Sequence, residues 1–170
     1  MNKALVYARL KNGSGVVDSL LPMMTDQGYY ASLMTDHDTN RRCDSYCTDT
    51  LFGTMGAINE ALLFSNTGEI EVLPAQPPEW KAGAVYGLMA RTRVEVKQLV
   101  WDLVKRGIKV TLHSISNANK IKLKAGIPWF KATVNGCETP ALADWFGKHV
   151  HMTLESEEDV TVGFDLNGES

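Results

Sequence analysis

The spacing of apolar residues changes near Gly68, and this change limits the folds open to the chain. Before Gly68, apolar residues recur every three or four positions, which is the period of an amphipathic helix. After it, residues 69–73 alternate between apolar and polar, which is the period of a half-buried strand. The sequence therefore predicts an α+β fold, with a helical segment over residues 1–67 and a β domain over residues 68–170.

Three helices are predicted in the first segment. Two cover residues 2–10 and 15–24, and Pro22 is expected to end or kink the second. The third starts with Asp49 or Thr50 as its N-cap and carries a broad apolar face. It is expected to stop at Ser65–Gly68, where Gly68 is free to take a positive φ.

The second segment predicts short strands separated by glycines and turns. Several antiparallel strands at this spacing are typical of a β-sandwich. The predicted strands cover residues 69–73, 94–96, 108–112, 121–123, 149–154 and 160–164.

Composition excludes several classes of protein. The 170 residues carry a formal net charge of −3, so no polybasic surface for nucleic acid is indicated. No apolar run approaches the roughly 20 residues of a membrane span, and the first residues lack a secretory signal pattern. Three cysteines cannot all pair internally, which favours a reducing cytoplasm. We expect no cofactor, no nucleic-acid partner and no membrane partner.

Asp49 is the first candidate for chemistry. At a helix N-terminus its carboxylate could simply cap backbone N–H groups. A helix N-terminus also keeps a carboxylate ionised. Gly53 and Gly56 leave space beside Asp49, so its carboxylate could act as a general base or orient another group that acts as the base. The two interpretations do not exclude each other.

His37, Cys43 and Cys47 form the second candidate cluster. Their spacing resembles part of a zinc site, but such sites favour closely spaced cysteine pairs and four ligands. We therefore expect no metal and interpret the thiols as buried or incidental.

Aromatic residues of the second segment could form a platform on which sugars stack. In a sandwich, however, aromatic residues more often fill the core, so both interpretations stay open. The residues concerned are Trp80, Tyr86, Trp101, Trp129, Phe130 and Trp145.

A series of motifs in one order resembles the C-terminal part of glycoside hydrolase family 95, a family of α-L-fucosidases and some α-galactosidases. The resemblance covers most of residues 3–115. The motifs are Asp49, Phe52-Gly53, Glu60, Leu62-Leu63, Gly68-Glu69-Ile70, Leu73-Pro74-Ala75, Trp80 and Gly87-Leu88-Met89-Ala90-Arg91.

The resemblance implies a place within a larger fold. Family members have an (α/α)6 barrel that holds the active site, followed by a β-sandwich. Residues 1–67 would then be the last barrel helices. The family inverts configuration with a glutamic acid and an asparagine-based, carboxylate-assisted activation of water, and Asp49 matches that carboxylate.

The resemblance also implies substrate contacts. Family members carry a histidine shortly before the aspartate, and His37 with its neighbour Asp36 would contact the sugar if several residues are inserted. Without an insertion Cys43 occupies that position. Thr50-Leu51 replaces the usual Gly-Asn, which indicates a divergent subgroup.

Two functions follow from these observations. In the first, the chain is the C-terminal part of an inverting glycosidase acting on terminal α-L-fucosyl or α-galactosyl residues of an oligosaccharide. It is then inactive alone, because the general acid and the asparagine lie upstream, and it needs an upstream barrel polypeptide or self-association. In the alternative, it is a non-catalytic carbohydrate-binding or structural β-sandwich module. Whether the chain is itself an enzyme is left open.

Overall fold

The computed structural model describes residues 2–25, 29, 34–35, 47–91, 93–115, 118–145 and 147–168. Within these ranges the chain forms three α-helices and eleven β-strands. It divides into a helical unit, Met1–Leu62 with Ala75–Pro78, and a β unit, Leu63–Pro74 with Glu79–Ser170. None of the helices in these ranges combines the length and the apolar character that crossing a bilayer requires.

The helical unit contains α1 (Asn2–Arg9), α2 (Gly13–Thr25) and α3 (Thr48–Leu62). Asn12 caps α2, because its side-chain Oδ1 accepts a hydrogen bond from the backbone N–H of Gly15 at 2.9 Å. Gly15 also packs closely, since a Cβ atom there would lie 2.5 Å from the ring of Tyr7.

Pro22 lies inside α2 and does not end it. A proline removes one helical hydrogen bond, but the helix continues for three more residues. The hydroxyl of Thr25 then donates to the carbonyl of Leu21 at 2.9 Å, within the last turn.

The end of α3 differs from the expectation. The helix stops at Leu62, and β1 (Leu63–Asn66) follows without an intervening residue. Residues 63–66 pair in register with β2 (Glu69–Val72), so they form a hairpin rather than a last helical turn. Gly68 has a φ of +74°, as expected, but it serves the hairpin turn and not a helix C-terminus.

The remaining strands of the β unit follow β2 in two sheets. One sheet has the order β1-β2-β6-β10-β9, and the other has the order β3-β4-β5-β11-β7-β8. These strands are β3 (Ala82–Ala90), β4 (Val94–Asp102), β5 (Gly107–Ser114), β6 (Asn119–Ala125), β7 (Lys131–Val134), β8 (Cys137–Thr139), β9 (Leu142–Asp144), β10 (Gly147–Leu154) and β11 (Asp159–Asp165).

The β unit is sandwich-like but not wholly antiparallel. β2 and β6 are parallel neighbours, with Ile70 opposite Leu123, so the expected all-antiparallel arrangement is wrong at this pair. The chain passes through 46 residues between β2 and β6 before it returns to this sheet. The alternation of apolar and polar residues within a strand does not show in which direction that strand joins its neighbour, so the sequence could not predict the parallel pair.

Two neighbouring strands of the six-stranded sheet bury one set of alternating side chains. In β5 and β11, for example, Val110, Leu112, Val162 and Phe164 are buried. The residues between them face outward, and the hydroxyls of Thr111 and Thr161 lie 3.1 Å apart on that outer face. Where β5 and β11 pair, the outer face therefore carries polar groups.

Candidate functional site

The candidate site is built on the first turn of α3. Cys47 is its N-cap, because its carbonyl accepts the backbone N–H of Leu51 at 3.4 Å and the helix starts at Thr48. The expectation that Asp49 or Thr50 caps the helix is thus wrong by two or three residues. The Thr50 hydroxyl donates to Sγ of Cys47 at 3.0 Å.

Asp49 lies inside the first turn, and its side chain is exposed. The unpaired backbone N–H groups and the dipole of α3 favour a negative charge there. Among the described residues, Asp49 forms no ion pair, and its side chain is exposed to solvent. This arrangement suits a carboxylate that binds or orients a water or a hydroxyl group.

A small hydrogen-bonded framework fixes the start of α3. The backbone N–H of Cys47 donates to the carbonyl of Thr35 at 2.8 Å, and the Thr35 hydroxyl donates to the carbonyl of Cys47. Thr35 is fully buried. Six residues into the helix, the Tyr29 hydroxyl donates to the Thr54 hydroxyl at 3.0 Å. The contacts between Thr35 and Cys47 therefore hold the turn that carries Asp49, and Tyr29 contacts the following turn.

Asp36, His37 and Cys43 lie outside the described residues. The proposed sugar contacts of Asp36 and His37 therefore stay predictions, as does the choice between His37 and Cys43. Thr35, which immediately precedes Asp36 in sequence, is hydrogen-bonded to Cys47, two residues before Asp49.

Phe52 and Met55 complete the exposed face of α3 beside Asp49. Their side chains are 72 % and 56 % exposed. The broad apolar face predicted for the third helix includes both residues, but both are exposed. Phe52 follows Asp49 by three residues, a spacing that places the two side chains on the same side of the helix. Next to them, Gly56 has a single heavy atom within 4 Å of where a Cβ would be, a methyl of Leu5 at 3.9 Å.

The aromatic residues of the β unit do not form one platform. Trp101 and Trp129 are buried, at 6 % and 5 % exposure. The indole N–H of Trp101 donates to the carbonyl of Trp80 at 2.7 Å, and the Trp129 ring lies 5.0 Å from that of Phe164. Two of the six predicted stacking residues therefore belong to the core. Trp145 is fully exposed, and Tyr86 and Phe130 are more than half exposed.

One charged cluster lies on the outer face of the six-stranded sheet. The Lys97 ammonium contacts both carboxylate oxygens of Asp159, at 2.8 and 2.9 Å, and Nδ1 of His113 lies 2.7 Å from one of them. The hydrogen bonds from Lys97 and then His113 lower the pKa of Asp159.

A second carboxyl, Asp102, has its pKa lowered by hydrogen bonds from the backbone N–H and the side chain of Lys105.

Comparison with known proteins connects the chain to glycosidases. The sequence pattern of "Glycoside hydrolase family 95, C-terminal domain" matches residues 64–161. Alpha-L-fucosidase 2 of Arabidopsis thaliana is 31 % identical over 119 residues, which cover 62 % of this chain and 13 % of the plant protein. The chain thus spans about an eighth of the length of this relative.

Solved structures give weaker likenesses. The GH127 β-L-arabinofuranosidase Ara127N-Se from Geobacillus stearothermophilus T6 is 12 % identical with a TM-score of 0.49, covering 96 % of this chain and 30 % of that one. A structure described as a glycoside hydrolase is 15 % identical with a TM-score of 0.44, covering 84 % of this chain and 23 % of that one.

Proposed function

The chain belongs to glycoside hydrolase family 95, whose C-terminal domain it contains, and from this we propose that it is the C-terminal part of a glycosidase. The enzyme would remove terminal α-L-fucosyl or α-galactosyl residues from an oligosaccharide with inversion. The match over residues 64–161 carries the proposal, and the similarity to a plant protein named as a fucosidase supports the choice of sugar.

Asp49 is the residue of this chain that we assign to the chemistry. Its exposed carboxylate at the start of α3 would accept a hydrogen bond from the group that activates water. An inverting enzyme also needs a general acid on the other side of the sugar, far enough away to admit that water. Because one carboxylate cannot supply both functions, the chain alone would be inactive, and the general acid would come from a preceding barrel.

Exposed apolar side chains on all three helices support a partner for the helical unit. Val6 and Leu21 are exposed, whereas Leu20 and Leu62 are buried. Helices of a barrel carry apolar residues on more than one face, and such surface normally needs cover. The exposed set is Val6, Leu10, Leu21, Met24, Phe52 and Met55.

We further propose that the protein works in the reducing cytoplasm. The thiols of Cys47 and Cys137 are both free, which is compatible with that compartment.

The test is to combine this chain with an upstream polypeptide that supplies the barrel, its glutamic acid and its asparagine. Hydrolysis of aryl α-L-fucosides or α-galactosides should appear in the combination and be absent from either part alone. Asp49→Asn should lower kcat by about 100-fold or more, the contribution typical of acid–base assistance.

Asp18→Asn is the matched control, because Asp18 is also an exposed helical carboxylate and should leave the rate unchanged. Full activity of the Asp49→Asn variant would refute the role of Asp49. Absence of hydrolysis in the combined protein would refute the catalytic proposal itself.

A further inference from the structure

Three of the four sheet edges of the β unit are short strands. The edge strands β1, β8 and β9 have four, three and three residues. The fourth edge is β3, which has nine residues and shares with β4 the greatest length among the described strands. Short edge strands limit pairing with other chains, and β3 does not have this protection.

The composition of β3 also leaves its edge open. Its sequence, AGAVYGLMA, contains no charged residue and no proline, the residue types that most often block an edge. Tyr86 is 64 % exposed, and Ala82 and Ala84 are exposed as well. Gly87, with a φ of +70°, interrupts the regular strand. The regular part of the open edge is therefore residues 82–86.

The backbone hydrogen bonds show which groups of this edge point away from the sheet. The N–H of Leu103 donates to the carbonyl of Lys81 at 2.7 Å, so these two residues form a hydrogen-bonded pair. In an antiparallel ladder, such pairs alternate with pairs whose backbone groups point outward, and this register continues along β3. The N–H and C=O groups of Ala82, Ala84 and Tyr86 therefore point away from β4. Among the described residues, no strand pairs with this side of β3.

Trp101 fixes this edge from the buried face of the sheet. It lies opposite Gly83, and a Cβ atom at Gly83 would lie 2.5 Å from its ring. The ring is 6 % exposed, and its N–H donates to the carbonyl of Trp80, just before the strand. The edge is therefore held in strand geometry before any partner arrives, which lowers the entropic cost of pairing.

The side chains of residues 82–86 are complementary to a second copy of themselves. If two copies pair antiparallel about Ala84, then Tyr86 of one copy lies beside Ala82 of the other. In the same register Val85 lies beside Gly83. Each larger side chain therefore lies beside a small one, on both faces of the sheet. We propose that two copies of the chain pair in this way through β3, with a two-fold axis at Ala84.

Backbone groups and charge fit the same register. Three residues of each copy direct one N–H and one C=O outward, so the two-fold pair forms about six hydrogen bonds. Lys81 of one copy lies beside Gly87 of the other, so no like charges face each other along the paired strands. A two-fold contact uses the same surface on both copies and closes at the dimer. The proposal rests on the β unit alone and does not depend on the proposed glycosidase function.

Analytical ultracentrifugation and amide hydrogen exchange of the full chain test the proposal. We expect a dimer at millimolar concentration that dissociates on dilution. The amides of Ala82, Ala84 and Tyr86 should exchange at least about tenfold more slowly in the dimer than in the monomer. The amides of Gly83 and Val85, which bond to β4, should change little. A chain that is monomeric at millimolar concentration, or a dimer with an unprotected Ala84 amide, would overturn the proposal.

Charges placed on the two-fold axis test the register. Ala84→Lys puts two ammonium groups beside each other and should weaken dimerisation about fivefold or more. Ala84→Glu should have the same effect, and a mixture of the two variants should form a dimer of unlike chains. Ala143→Lys is the matched control, because Ala143 is an exposed alanine in the short edge strand β9. It should leave the dimer unchanged.

Circular dichroism confirms that each variant is folded. If mixing Ala84→Lys with Ala84→Glu restores no dimer, Ala84 does not lie on the axis and the proposal is wrong. Association through the helical unit would be a separate contact, so Phe52→Ser should leave the protection of the Ala84 amide unchanged. If Phe52→Ser removes that protection and Ala84→Lys does not, the helical unit forms the dimer and β3 does not.

Discussion

Gly126 lies where β6 ends against the turn that follows β2. Its backbone N–H donates to the carbonyl of Val72 at 2.9 Å. A Cβ at this position would lie 2.3 Å from the carbonyl oxygen of Leu73 and 2.6 Å from Cα of Pro74. Both are backbone atoms, so no side-chain rotation can relieve the contact. We therefore expect Gly126→Ala to destabilise the β unit.

The size of the effect follows from these distances. The Leu73 oxygen would have to retreat by about 0.7 Å to reach even a tight contact of 3.0 Å. Leu73 is 1 % exposed and already has a φ of +55°, which leaves its turn little freedom. Overpacking of this kind costs about 1–3 kcal/mol, and weakening the Gly126–Val72 hydrogen bond adds about 1 kcal/mol. The expected loss is about 2–4 kcal/mol in the free energy of unfolding.

Urea denaturation followed by tryptophan fluorescence measures this loss. All four tryptophans belong to the β unit, so the signal reports on that unit. Gly107→Ala is the matched control, because a Cβ there meets no atom within 4 Å, and it should change stability by less than about 0.5 kcal/mol. If the two alanine variants unfold at the same urea concentration, the reasoning from the Leu73 contact is refuted.

Two further predictions concern charge and exposed surface. Asp159→Asn should lower stability at neutral pH. Lys97 and His113 lower the pKa of Asp159 in the folded state. The ionised Asp159 therefore adds to the free energy of unfolding above the ordinary aspartate pKa, and this stabilisation is lost as the pH falls through the pKa of the folded state. The wild type and the variant should therefore converge in urea denaturation at acid pH, and a difference that grows on acidification would contradict this. Phe52→Ser should reduce self-association in size-exclusion chromatography and leave the unfolding midpoint nearly unchanged, since the ring is 72 % exposed. If the wild type self-associates and the Phe52→Ser variant elutes at the same volume, Phe52 does not belong to the surface through which the chains associate.

Sequence reasoning found the central part of strands whose residues alternate between apolar and polar. β5 and β11 alternate buried and outward residues along their whole length, and residues 108–112 and 160–164 of them were predicted. In β4 only residues 94–96 were predicted, because a bulge between Val96 and Gln98 shifts the alternation by one residue. β3 was missed because Gly83 and Gly87 weaken a strand pattern.

The candidate site was predictable in part. Asp49 was singled out because a carboxylate near a helix start has a recognisable physical role, and its part in the chemistry stays a prediction. The N-cap is Cys47 and not Asp49 or Thr50. Sequence reasoning missed this because the hydrogen bond that fixes the helix start joins Thr35 and Cys47, which are 12 positions apart. The aromatic residues could not be sorted, since sequence does not show that Trp129 packs on Phe164 while its neighbour Phe130 is exposed.

The direct passage from α3 into β1 has a practical consequence for anyone who shortens this protein. β1 is an edge strand, and it pairs with β2 along four residues. A chain trimmed to begin at residue 68 would lose β1 and leave the N–H and C=O groups on that side of β2 unpaired, next to Ile70 and Val72. Bare edges of this kind recruit strands from other molecules. Such a fragment should therefore aggregate, whereas one that begins at Leu63 keeps its own edge strand.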